Sequence, residues 1–203
     1  NADFSATNAD YTRTPATFTA VLSGNTNIRF VLSQVIRKST TKTSWSTNDA
    51  VKKSSQGGLN PTTPTTHLNI WVCNLGNGIL GYAQFPGGSS STDGVVVDNN
   101  AFGNTGTVTA PFNKGRTATH EVGHWLNLYH TWGPTNSPGE ASNCDFDDNV
   151  TDTPNTIGWT SCNINGASCG SAQDNVQNYM EYSYCSRMFT QGQGARMRAA
   201  LQS

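Results

Sequence analysis

The feature that most constrains this chain is a set of four residues, His120, Glu121, His124 and His130, packed into eleven positions. Histidines four residues apart lie one above the other on a helix, where they can grip a single ion. The spacing therefore predicts a helix from about Thr117 to Leu126. His130 lies six residues beyond His124, too far along a continuing helix to face the same ion, so the helix must break. Asn127 sits where the chain has to turn. A left-handed backbone there would bring His130 round, and Asn tolerates that conformation best after Gly. Three imidazole ligands leave a fourth position open, as a catalytic rather than a structural zinc site requires. Glu121 can then accept a proton from a water beside the ion and pass it to a leaving amine. An HExxH string can arise by accident in an amphipathic helix. Here three of the chain's four histidines fall within the same eleven residues, which argues against accident. The remaining one, His67, reads as a surface or packing residue.

A length of 203 residues suits one domain. With 12 basic against 13 acidic residues the net charge is −1, so no long-range field recommends nucleic acid or an anionic membrane as a partner. Four cysteines, Cys144, Cys162, Cys169 and Cys185, crowd into the last third, where periodicity is poor and turn formers abound. That pattern favours disulfides and an oxidising, extracellular compartment, with three connectivities open. Cys73, in an apolar run, reads as a buried thiol without a role. No stretch reaches the roughly 20 apolar residues needed to span a bilayer. The opening Asn1-Ala2-Asp3 reads as the start of a mature form from which any leader or pro-segment has been removed.

Residues 1–25 suggest an extended arm lying on the domain, dispensable for the core. Alternation at Ile28, Phe30 and Leu32 predicts a half-buried strand, and Ser46 to Lys53 a short helix. His67 to Leu75 reads as the central strand. Leu68, Ile70 and Val72 share one face and Trp71 and Cys73 the other, with both faces expected to be covered. Leu80 to Phe85 and Gly94 to Asp98 give two more strands, the latter the expected open edge for an extended peptide. Thr190 and Gln193 are spaced as a capping box for a last helix whose apolar face is Met197, Ala200 and Leu201.

The string from His120 to His130 resembles the extended zinc signature of the metzincins. Asn178-Tyr179-Met180-Glu181-Tyr182-Ser183 is similar to the Met-turn of their pappalysin branch, of the bacterial secreted kind. Two departures stand out: Asn127 where the general signature has Gly, and Glu181 where Asp is more usual. The resemblance implies an α/β, zincin (metzincin-like) fold. Its parts would be a twisted mixed sheet, a backing helix, an active-site helix and an irregular, disulfide-bonded C-terminal subdomain ending in a helix. It implies one catalytic domain over residues 1–203, with an upper part (1–130) and a lower part (131–203).

The same resemblance implies that Met180 supports the histidines from below and that Tyr182 donates its hydroxyl to the developing oxyanion. It implies the disulfides Cys144–Cys169 and Cys162–Cys185. It also implies a structural calcium at Asp148, the Val150 carbonyl, Asp152 and Thr153, in an oxygen-rich loop of the kind this hard cation takes. The expected activity is that of a secreted, monomeric zinc endopeptidase acting on proteins or peptides. The alternatives are a catalytically silent module that keeps zinc and calcium for stability, or a metallo-amidase acting on a non-protein substrate. Side-chain preference is left open, because Ser183-Tyr184-Cys185 offers no carboxylate to select a basic residue.

Overall fold

A computed structural model describes residues 1–202. Two compact units divide the chain: Val31–Trp125, and Asn1–Phe30 together with Leu126–Ser203. The N-terminal 30 residues thus pack with the C-terminal part, which differs from a simple division at residue 130.

The first unit holds a three-stranded mixed sheet in the order β1 (Ile70–Cys73), β3 (Val95–Asp98), β2 (Gly81–Ala83), with β1 parallel and β2 antiparallel to β3. The central strand is β3, not β1. Val95, Val96 and Val97 are fully buried, as a β-branched run must be when both faces of a strand are covered. Val96 joins Trp45, Val51, Trp71 and Leu75 in one core cluster, while α1 (Arg116–Trp125) packs on β2 and β3 from this unit's other side. Two sequence expectations are corrected here. Gly94 to Asp98 cannot be an open edge, because its backbone groups pair on both sides. Strand β1 is covered on one face only: Trp71 is buried, whereas Ile70 and Val72 are 43% and 45% exposed.

The buried cation of this unit is Lys52. It bonds Asp49 at 3.0 Å and the Thr92 carbonyl at 2.7 Å, and it lies over the Tyr82 ring. The helix expected at Ser46 to Lys53 is a single 3-10 turn at Ala50–Lys52, entered through Asp49 in the left-handed region. No strand forms over Ile28, Phe30 and Leu32. The segment joins no ladder; the Phe30 N–H and carbonyl bond the Asn1 side chain instead, with Ile28 buried and Leu32 78% exposed. Alternation there marks a chain crossing out of a core rather than a sheet member. Cys73 is a free thiol whose burial, with Asp98 nearby, pushes its pKa up to about 11. At neutral pH it holds its proton and is a poor nucleophile.

In the second unit, residues 1–25 are not a dispensable arm. Phe4 and Phe18 are buried, and Phe4 packs against Phe30 and Phe189 with ring centroids 5.1 and 5.3 Å apart. The segment folds as 3-10 turns at Tyr11–Arg13 and Ala16–Val21. The unit ends in α2 (Gln191–Ala200). Its capping box is complete: the Thr190 hydroxyl accepts from the Gln193 N–H, and the Gln193 side chain accepts from the Thr190 N–H. Met197 is buried, but Leu201 lies at the helix end and is 51% exposed, so the apolar face is shorter than expected. The α-helices among the described residues are α1 and α2, and none of the described elements is a backing helix. No helix among these residues is long and apolar enough to cross a membrane.

Little regular structure occurs between residues 131 and 189. Disulfides Cys144–Cys169 and Cys162–Cys185 cross-link this stretch. Loops of this length contribute about 3 kcal/mol each by restricting the unfolded chain. Buried polar hubs do the rest. Asn143 donates to the carbonyls of Ser137 and Ile157 and accepts from the Thr135 hydroxyl. Asp174 accepts from the Trp159 indole, the Ser171 hydroxyl, and both the amide and the hydroxyl of Ser168.

Candidate metal centre

Helix α1 buries Thr119 through His124 without a break. Within it the Nε2 atoms of His120 and His124 face each other at 3.1 Å. Two ligands about 2.1 Å from one tetrahedral zinc lie about 3.4 Å apart, so this pair already has the bite of a metal site. The chain leaves the helix at Asn127, whose φ is +73°, the left-handed value the His spacing requires. His130 follows on this turn. All three histidines are buried, and one ring nitrogen from each lies within 4.8 Å of the others.

The third imidazole is oriented by its own surroundings. His130 Nδ1 lies 2.8 Å from the Thr135 carbonyl oxygen. A carbonyl can only accept, so Nδ1 carries the proton and Nε2 keeps its lone pair for a metal. The bend itself is fastened from α2: Arg196 donates from Nε to the Asn127 carbonyl at 2.6 Å and lies over the Tyr129 ring. Sequence reasoning missed Arg196, because nothing in a helix pattern says which loop a basic side chain will reach.

Glu121 is buried, and desolvation pushes its carboxyl up to about 8. A cation at the neighbouring imidazoles would draw it back down. Its side chain rests on Gly81 of β2. A methyl group at Gly81 would come within 2.8 Å of Glu121 Cγ and Oε1, and within 2.9 Å of the Val96 carbonyl. Gly81 is a second residue that the sequence did not flag, since a glycine inside a strand reads only as a weak point.

Met180 is fully buried in a tight turn where its N–H bonds Asn178 Oδ1 and the Glu181 N–H bonds the Asn178 carbonyl. The two residues after it reach the turn of the same unit that carries His130. Glu181 accepts from the Thr131 hydroxyl at 2.6 Å, and the Tyr182 ring meets His130 edge to face at 4.8 Å. Burial pushes Glu181 up to about 8, while the bonds from Thr131 and Trp159 pull it the other way.

In the loop after Cys144, Asp148 is buried. One of its oxygens accepts from the Val150 N–H and the Thr153 hydroxyl. Thr153 also bonds the Val150 carbonyl, and Asp152 accepts from the Gly192 N–H at the start of α2. Asp148 Oδ2 and Asp152 Oδ1 are buried with no hydrogen-bond donor. Burial pushes Asp148 up to about 7. Two orphaned carboxylate oxygens in one loop are what a bound cation would satisfy.

Comparison with known proteins adds an independent line. Residues 60–202 match the family model described as pregnancy-associated plasma protein-A. An extracellular metalloprotease of Arthroderma otae is 40% identical over 145 residues, covering 67% of this chain and 51% of the relative. Extracellular metalloprotease 1 of Coccidioides posadasii is 39% identical over 142 residues, covering 64% and 48%. The chain thus spans about half the length of the curated relatives it matches. Among solved structures, mature mirolysin of Tannerella forsythia in complex with a cleaved peptide superposes with a TM-score of 0.87. Its sequence is 41% identical, and the match covers 98% of this chain and 79% of that one.

Proposed function

The chain belongs to the pregnancy-associated plasma protein-A, or pappalysin, family of metallopeptidases, and from that premise we propose that it is a secreted zinc endopeptidase that uses Glu121 as general base. The observation that carries this reading is the convergence of three buried histidines beside a buried glutamate. Residues 1–203 would act together as one catalytic domain. Secretion is supported by the two disulfides and by the extracellular relatives, and a peptide substrate by the cleaved peptide bound to mirolysin.

His120, His124 and His130 would hold the ion, which when bound supplies a Lewis acid that polarises a carbonyl and acidifies water. Glu121 takes the proton of the attacking water and returns it to the leaving nitrogen. The Tyr182 hydroxyl donates to the negative charge that develops on the carbonyl oxygen. Strand β2 is an edge of the sheet, and Gly81 on it touches Glu121, so an extended peptide paired with β2 would be aligned with its base. Asp148, the Val150 carbonyl, Asp152 and Thr153 would hold a structural calcium ion.

The test is incubation with casein and, in parallel, with a non-peptide amide, the new ends being mapped by mass spectrometry. Cleavage at internal peptide bonds is expected. Turnover of the non-peptide amide alone would move the chain to a different class of hydrolase, and turnover of neither would leave a silent binding module.

The Gly81 contact gives a sharper check. In Gly81→Ala the new methyl cannot displace the Val96 carbonyl, so Glu121 must move. A shift approaching 1 Å at a reacting group can cost about 100-fold. A fall of about 10- to 100-fold in kcat is expected, with zinc content unchanged. Wild-type kcat in this variant would show that the base does not depend on the strand.

A further inference from the structure

The ligand turn contains a large residue that the mechanism above does not use. Trp132 is fully buried two positions after His130, and its indole lies flat on the imidazole, with ring centroids 4.3 Å apart and planes 3° from parallel. The indole Nε1–H and the His130 Nδ1–H converge on one acceptor, the Thr135 carbonyl, at 2.9 and 2.8 Å. An imidazole lone pair lies in the ring plane, so a ligand fails if the ring rotates in that plane or tilts out of it. The bond to Thr135 resists rotation, and the stacked indole resists tilt.

The indole is itself held. Gly158, at φ +84°, packs so closely that a Cβ there would lie 2.6 Å from Trp132 Cδ2 and Cε3. The residues flanking this contact are tied to one carboxylate: Glu181 accepts from the Thr131 hydroxyl at 2.6 Å and from the Trp159 N–H at 2.8 Å. Glu181 stands between Met180 and Tyr182, and the Tyr182 ring meets both His130 and Trp132 edge to face at 4.8 and 4.9 Å. One buried side chain therefore links the turn carrying the ligand, the loop behind the indole and the turn carrying the tyrosine.

We propose that Trp132 is the positioning residue of the third ligand, setting the plane of His130, and that Gly158 and Glu181 hold the indole in place. The proposal rests on the reading that the histidines bind zinc. Its consequence is that residues touching neither metal nor substrate set metal affinity.

The experiment measures zinc affinity by chelator competition, and the visible spectrum of the cobalt-loaded protein, for wild type, Trp132→Leu, Trp132→Phe and Gly158→Ala. Loss of a partner that orients a metal ligand typically costs about 10- to 100-fold in metal affinity. Trp132→Leu is expected to weaken binding within that range and to shift the cobalt bands. Gly158→Ala is expected to weaken it about tenfold. Trp132→Phe, which restores a flat face, is expected to recover to within about threefold of wild type. A folded Trp132→Leu protein with wild-type affinity and cobalt spectrum overturns the proposal.

Wild type separates the two levels of argument. If it binds no zinc that His130→Ala abolishes, the reading of the metal site itself fails. Should Trp132→Leu not fold, the His130 ring protons of the zinc-loaded wild type decide the matter by NMR. The stacked indole should shift them well upfield of those of the exposed His67, and coincident positions would overturn the proposal.

Discussion

Glu121→Gln should bind one zinc ion per chain as tightly as wild type and yet hydrolyse casein with a kcat lower by about 100- to 10,000-fold. Glutamine keeps the size and the contact with Gly81, so the sheet and α1 are undisturbed. It lacks the ability to take a proton from the attacking water, which is the contribution general-base catalysis makes at this magnitude. KM should change little, because the lost interaction belongs to the transition state rather than to ground-state binding. Treatment of wild type with 1,10-phenanthroline should abolish cleavage by a different route, reversed by added zinc. In the glutamine variant added zinc should restore nothing. Proteolysis by Glu121→Gln at the wild-type rate with zinc bound would remove Glu121 from the mechanism.

The second large effect concerns the loop after Cys144. Asp148 and Asp152 each leave one buried oxygen without a donor, and the other oxygens are already bonded within the loop and to α2. A calcium ion satisfying them stabilises the folded state by about 2.7 kcal/mol when present at 100 times its dissociation constant. For a chain of this size that corresponds to roughly 5–10 °C in Tm. Thermal melting with free zinc buffered at a constant level should therefore show a Tm that rises with added calcium. Asp148→Asn should melt at one temperature whether or not calcium is present. A wild-type Tm indifferent to calcium would leave the loop without an ion and its two orphaned oxygens unexplained.

How far the sequence was readable depended on whether the information was local. The pair His120 and His124 needs only helical spacing, and the break at Asn127 follows from the geometry of reaching His130. The capping box at Thr190 and Gln193 is likewise a matter of neighbouring residues. Strand order is not local. Ile70 to Cys73 carries the more varied apolar pattern, yet the equally long run Val95 to Asp98 became the central strand because it is the one paired on both sides. Residues 1–25 read as surface because their polar composition hides Phe4 and Phe18. Phe4 packs on a partner as remote in sequence as Phe189, which no window along the chain contains.

The site was legible to the same degree. The three histidines, which the structure brings together, were marked by their spacing, and the roles proposed for Glu121 and Tyr182 rest on spacing and resemblance. Gly81 touches Glu121 and Arg196 touches the bend at Asn127, each from another element, and Trp132 carried no motif to mark it. The lesson is that a signature lists the atoms that react and omits those that hold them still.

The activity proposed above would expose the chain to copies of itself, and irregular loops are the easiest places to be cut. The two disulfides interlock: Cys162 lies inside the span from Cys144 to Cys169, and Cys169 lies inside the span from Cys162 to Cys185. A nick before Cys162 leaves the pieces joined by the first bond, a nick after Cys169 leaves them joined by the second, and one between leaves both. No single cut between residues 144 and 185 can therefore release a fragment. The turn that carries Met180 and Tyr182 stays tethered to the rest of the molecule after damage that would dismantle an uncrosslinked loop.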